Sequence, residues 1–191
     1  MTPPTRQPPQ HREAEAALLG AMLIAPDIIG PVLEIIPPAK SASLYDTSHR
    51  LIFDALVAMA TDGVKIDIVT LEHRLRSLGT LDDIGGREYL IALSESVPSA
   101  ANAEHYARIV VEKARLRDLL QAGLSIVEAA YQHDAVCDDL IRDAGKWIER
   151  AANYSGGGKL QTVGSVATEV IGAINRGEMD EGIPTGIKCV D

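Results

Sequence analysis

From residue 84 to residue 131 the chain reads IGGREYLIALSESVPSAANAEHYARIVVEKARLRDLLQAGLSIVEAAY, and this stretch holds its longest unbroken helical pattern. Tyr106, Ile109, Val110, the stem of Lys113, Leu116, Leu120, Leu124 and Val127 recur at steps of three and four. Those steps place them on one face of a helix. Pro98 closes what precedes, because the residue before a proline avoids the α region. Asn102 reads as the N-cap, with Glu104 in the first turn where the helix dipole favours a negative charge. A helix of about 28 residues is roughly 40 Å long. That exceeds what a small domain needs for its own core, so the helix is expected to project and meet another surface.

Tyr131 to Ala135 is a polar break. After it Val136, Leu140, Ile141, Ala144, Ile148 and Ala151 repeat at helical spacing, with Asp138, Asp139, Arg142 and Lys146 on the other side. Two helices joined by a short polar loop read as an antiparallel hairpin. Packing of the two apolar strips on each other explains much of the burial. A long two-helix hairpin has little core of its own, however, so its remaining apolar surface is expected to pair with a second copy. The interface is assigned to Ile109, Leu116, Leu120, Leu124, Leu140, Ile141, Ala144 and Ile148.

Upstream, the proline-rich residues 1–11 read as a disordered tail. Residues 12–102 read as a helical globule. Its first helix puts Ala14, Leu18, Ala21, Met22 and Ala25 on one face, and the small Ala17 and Gly20 permit close approach of a neighbour. A short helical pattern from Ile28 to Ile36 is expected to break at Pro31 and end at Pro37-Pro38. His49, Ile52, Phe53, Leu56, Val57 and Ala60 form a stripe closed by Asp62-Gly63. Asp67 reads as the N-cap of a helix bearing Ile68, Leu71, Leu75 and Leu78, with Gly79 as its stop. Tyr89, Leu90 and Leu93 sit on one more short helix. The stretch from Val64 to Val69 has strand character, but Asp67 interrupts its apolar side. The expected class is all-α.

Residues 103–153 form the hairpin in this reading, and residues 154–161 a flexible linker. Residues 162–177 form a lone amphipathic helix, with Val163, Val166, Val170 and Ile174 on one face. An isolated helix of that length is marginal in water and needs a surface to dock on. Residues 178–191 look like the start of a further domain.

A net charge of −9 argues against a free-standing nucleic-acid binder, which would neutralise phosphates with Lys and Arg. Cys137 and Cys189 fit no ligand spacing, and no apolar run approaches the length of a membrane span, so a cytosolic, soluble protein is expected. Ser155-Gly-Gly-Gly-Lys159 invites a phosphate-loop reading. That loop requires Gly where this chain has Asn153, and Ser or Thr where it has Leu160. The histidines fall singly, and His49, on an apolar stripe, reads as a satisfied core residue rather than a metal ligand. Asp82-Asp83 and Asp138-Asp139 read as solvated caps. No catalytic set and no cofactor or metal site is expected in this stretch.

Taken together, the residues resemble the amino-terminal region of bacterial and phage replicative DNA helicases of the DnaB type. Glu13-Ala-Glu15 with the Leu18–Leu23 run carries the likeness, followed by Tyr45, His49-Arg50, Ile52-Phe53, Gly63 and Ile66-Asp67. It continues through Thr70-Leu71, Ile84-Gly-Gly86, Tyr89-Leu90, Pro98-Ser-Ala-Ala-Asn102, Tyr106, Ile109-Val110, Glu112-Lys-Ala114 and Arg117. Leu44 departs from the pattern, which has an aromatic before Tyr45. The resemblance implies a globule with a projecting hairpin, hairpins that pair into dimers, and dimers that build the collar of a hexamer. It implies docking of primase through its helicase-binding domain, or of a helicase loader, and a linker helix packed on the motor of the adjacent subunit. ATP, Mg²⁺ and DNA would belong to a RecA-like motor domain beyond Asp191, so this stretch is expected to be a non-enzymatic fragment of such a helicase. A free-standing adaptor or inhibitor of a helicase or primase is the alternative.

Overall fold

The computed structural model describes residues 7–97, 99–132 and 136–152, and within them every regular element is helical. The seven α-helices are α1 (Arg12–Ile24), α2 (Ile29–Ile35), α3 (Thr47–Thr61), α4 (Ile68–Ser77), α5 (Gly86–Glu95), α6 (Ala103–Ala130) and α7 (Cys137–Ala152). No single helix among the described residues is long and apolar enough to cross a membrane.

Local chemistry sets most boundaries. His11 caps α1, its Nδ1 accepting from the Ala14 amide at 3.1 Å. Asp46 caps α3 by accepting from the Ser48 amide at 2.9 Å. Asp67 and Thr70 form a reciprocal capping box at the start of α4. The Thr70 amide holds the Asp67 carboxyl below the usual carboxylate range. Gly85 and Gly86, at φ 95° and 73°, form the left-handed entry to α5.

Four sequence expectations change. Pro31 does not break α2 but lies in its first turn, where backbone N–H groups have no intrahelical acceptor to lose. Asn102 occupies the residue before α6 yet makes no side-chain cap; Ser99 instead caps the 3-10 turn Ala100–Asn102 that feeds the helix. Ala60 and Leu78 are exposed, and Met59 takes the buried place that the α3 stripe assigned to Ala60.

The core is aliphatic around Phe53, which is fully buried. Burying such a side chain stabilises the fold by about 1.5–3 kcal/mol. Helix α1 packs on α3, α5 and α6, so it is the central element of the globule. Gly20 makes the α1–α5 crossing possible: a Cβ there would sit 2.2 Å from the Leu93 carbonyl oxygen. Residues 7–11 are not left free of the globule. Arg117 of α6 donates to the Pro9 carbonyl at 2.8 Å and to the Ser43 carbonyl at 2.5 Å. The guanidinium groups of Arg117 and Arg12 lie 5.6 Å and 5.7 Å from the Tyr45 ring centroid.

One polar chain runs through this core. Glu15, only 1% exposed, accepts from the backbone amides of Tyr45 (2.7 Å) and Asp46 (3.2 Å) and pairs with His49 Nδ1 at 2.8 Å. A carboxylate only accepts, so Nδ1 carries the proton. Nε2 lies 2.6 Å from the Tyr89 hydroxyl, in hydrogen-bond contact. His49 is thus the satisfied core histidine that its apolar stripe implied. The chain ties α1, α3 and α5 together and leaves no member unpartnered, which is what makes a buried carboxylate tolerable.

Burial holds the Tyr89 hydroxyl above the usual phenol range, and the charges of Asp46 and Glu15 push the same way against Arg12. A group whose proton is held more tightly in the folded state stabilises fully below its unfolded pKa, about 10 for tyrosine. That contribution is lost as pH rises through the folded value. The melting temperature is therefore expected to fall more steeply above about pH 10 in the wild type than in Tyr89→Phe. Parallel melts from pH 8 to 11 check this; equal slopes would remove Tyr89 from the alkaline transition.

Candidate interaction face

Helix α6 has two apolar sides. Ala103, Ala107, Val110, Val111 and Ala114 are buried against the globule, and Ala122 is buried further along. Small alanines let α6 approach α1 and α2 closely. Its second half receives α7, which runs back antiparallel. Ala122 and Ser125 share one cleft with Trp147, Arg150 and Ala151, while Leu116 and Leu119 share another with Ile148 and Ala152.

The second side faces away from α7. Leu120 lies two residues from Ala122, a little more than half a turn, so the two point to opposite faces. Leu120 is 54% exposed and Leu124 57%. Leu116 and Val127 stand in solvent beside them. The next step of four from Val127 reaches Tyr131, 87% exposed at the end of the helix. The result is an apolar stripe along α6, exposed from Leu120 to Tyr131 and bordered at Leu116 by α7. It broadens across the shallow groove of about 300 Å³ lined by Leu116, Leu119 and Ile148.

The eight residues expected at the interface fall into separate places. Leu140 and Ala144 are half-buried on the α7 side that meets α6. Ile109 is half-buried against the core. Leu116, Leu120, Leu124, Ile141 and Ile148 are exposed. Leu116 borders α7 beside Leu119, Leu120 and Leu124 stay exposed, and Ala122 sits toward α7 on the opposite side, where small side chains bring the two backbones closer. Tyr131, Leu119 and Trp147 were missed in the sequence. Continuing the three-and-four stepping past Val127 would have found Tyr131. The expected docking residues of the linker helix, Val163, Val166, Val170 and Ile174, lie outside the described residues, as do the linker at 154–161 and the segment at 178–191.

Charges flank the hairpin, and Glu112 and Arg115 line the groove at Leu116. Asp138 and Asp139 sit in the first turn of α7, where the dipole favours them. Lys146 bonds Asp143 at 2.8 Å and holds its carboxyl below the usual range. Arg142 pairs with Asp139, and Arg108 with Glu104. Exposed pairs of this kind contribute little to stability. Cys137 is an exposed free thiol. Among the described residues no group of three His, Cys, Asp or Glu side chains could hold a metal ion.

Residues 7–112 match the model of the DnaB-like helicase N terminal domain. The chain is 35% identical over 190 residues to the replicative DNA helicase DnaB of Geobacillus stearothermophilus, covering 97% of this chain and 41% of that protein. It is 43% identical over 126 residues to the DnaB of Mycobacterium leprae (strain TN), covering 66% of this chain and 20% of that one. The crystal structure of the N-terminal domain of DnaB helicase from Mycobacterium tuberculosis superposes with a TM-score of 0.69 at 39% identity, covering 74% of this chain and 98% of that domain. A DnaB-like replicative helicase described with its interactions with primase shares the fold at TM-score 0.64 and 20% identity, over 95% of this chain and 40% of that one.

Proposed function

As a member of the family of DnaB-like helicase N-terminal domains, this chain acts, we propose, as the amino-terminal collar of a replicative DNA helicase: it pairs through its hairpin and offers the assembled collar to primase or a helicase loader. The carrying observation is the exposed apolar stripe Leu120, Leu124, Val127 and Tyr131 along α6, which Leu116 continues toward α7. A contiguous apolar surface of this kind marks an interaction site in a soluble protein. A second copy of the same stripe is its natural complement, since a two-fold interface is self-complementary. The primase partner rests on the DnaB-like helicase whose structure was described with its primase interactions.

In this reading the helix at 162–177 docks through Val163, Val166, Val170 and Ile174 on the motor of a neighbouring subunit. ATP hydrolysis, Mg²⁺ binding and DNA unwinding belong to the motor domain of the whole helicase, and DNA reaches this chain only through it.

Light-scattering mass after size exclusion, with and without the helicase-binding domain of primase, tests the reading. A dimer or hexamer whose mass rises with primase is the expected result. A monomer that ignores primase overturns it and leaves only the fold.

A further inference from the structure

The residues that precede α1 meet the base of the hairpin. Pro8 and Pro9 have no backbone N–H, so their main chain offers the globule only carbonyls. The Pro9 carbonyl is answered from 108 residues away, by Arg117 Nη1 at 2.8 Å. Nη2 of the same guanidinium donates to the Ser43 carbonyl at 2.5 Å, and its carbon lies 5.6 Å from the Tyr45 ring centroid. Pro9 and Arg117 are both half-buried.

Arg117 stands where α6 leaves the globule. It lies three residues past the buried Ala114, and the next four side chains, from Asp118 to Gln121, are exposed. Its partners reach into the globule on two sides. Ser43 ends the 3-10 turn Pro38–Ser43, which packs on α6. The Tyr45 amide is held by Glu15 of α1, and Arg12 of α1 lies over the same ring at 5.7 Å. The guanidinium thus ties the exit of α6 both to α1 and to the segment that leads into α1. A planar fork bonds two carbonyls while lying against a ring; the compact ammonium of a lysine does not reproduce all three contacts.

We infer that residues 7–11 are a strap that sets how the hairpin leaves the globule. Docked through Pro9 on Arg117, the strap steadies the start of the projecting half of α6. Lifted, it lets the hairpin swing about Ala114 with both helices intact. The fixed φ angles of Pro8 and Pro9 reduce the freedom lost on docking. A hydrogen bond to a charged group is worth about ten- to a hundredfold in the ratio of closed to open forms, so the strap opens without unfolding the core. The Ser43 and Tyr45 contacts of Arg117 remain in the open form and keep the hairpin attached. The inference concerns one chain and holds whether or not α6 pairs with a second copy.

The distance between two spin labels in the full chain tests it. One label goes on the native Cys137, an exposed thiol at the start of α7, and one on Asp54→Cys, at an exposed position of α3. Cys189→Ser leaves no third thiol, and dilution into unlabelled chain removes distances between copies. With the strap intact the distribution should be single and narrow. Deleting residues 2–10 removes the Pro9 carbonyl and keeps the His11 cap. It should shift or broaden the distribution by roughly 4 Å, the tip displacement for a swing of about 10°. Arg117→Lys should do the same, and adding the deletion to it should change nothing more, because both break one contact. Replacing Pro8 and Pro9 by glycine keeps the carbonyl and should broaden the distribution less than the deletion does. Circular dichroism should show full helicity in the deleted chain. An unchanged distribution on deletion, an equal further change when the deletion is added to Arg117→Lys, or a loss of helicity on deletion would overturn the proposal.

Discussion

Leu120→Asp is expected to release the chain as a folded monomer. Leu120 lies at the middle of the α6 stripe and is already 54% exposed in the single chain. Replacing it leaves the core untouched, so helicity and melting temperature should change little. In a paired stripe the same carboxylate would be buried without a partner, and a two-fold interface would bring two of them into one seam. A cost of about 3 kcal/mol weakens association roughly a hundredfold. Light scattering across a concentration series reads this directly. An unchanged mass would remove Leu120 from the seam, whereas a collapsed melting curve would mean the stripe packs within the chain.

Gly20→Ala is expected to be the most damaging small substitution in the globule. The new methyl would lie 2.2 Å from the Leu93 carbonyl oxygen and 2.4 Å from Val97 Cγ2. The first obstacle is backbone, so α1 and α5 must separate, and their separation opens the core behind them. Overpacking of this kind costs about 1–3 kcal/mol, occasionally more. It outweighs the gain of up to about 1 kcal/mol that alanine brings to a helix interior. Gly145 in α7 provides the internal contrast, because a Cβ there meets nothing within 4 Å. Gly145→Ala should raise stability by about 0.5–1 kcal/mol, with no packing penalty to oppose it. Thermal melts of the two variants should therefore move in opposite directions. If Gly20→Ala melts like the wild type, the α1–α5 crossing is looser than its geometry implies.

Much of this was legible in the sequence because it is local. The Asp67 cap, the α3 stripe around Phe53 and the small residue at Gly20 are properties of a few neighbouring positions, and the helices followed from periodicity. The leucine stripe of α6 was visible too, but its fate was not. Periodicity reports that a helix has an apolar side, not which neighbour covers it. In α6 the alanines at 107, 114 and 122 carry less hydrophobic weight than the leucines, yet their small size is what two packed backbones require. The Glu15–His49–Tyr89 chain was hidden for another reason. Its members are 34 and 40 residues apart, so only the packing of α1, α3 and α5 brings them together. The hold of Arg117 on the Pro9 carbonyl spans 108 residues and has no local trace at all.

The continuity of α6 has a mechanical consequence. Its first half is embedded in the globule up to Ala114, and its second half carries the hairpin to Ala130 with no proline between. Such a helix lacks the proline that most often makes a sharp kink. It behaves as a lever whose short arm is clamped in the core and whose free arm, 16 residues from Ala114 to Ala130, is roughly 24 Å long at 1.5 Å per residue. A tilt of about 10° at the clamp displaces the far end by roughly 4 Å, the larger part of one helical turn's rise. Whatever grips the hairpin thereby turns the whole globule with it, and whatever loads the globule is felt at the hairpin tip.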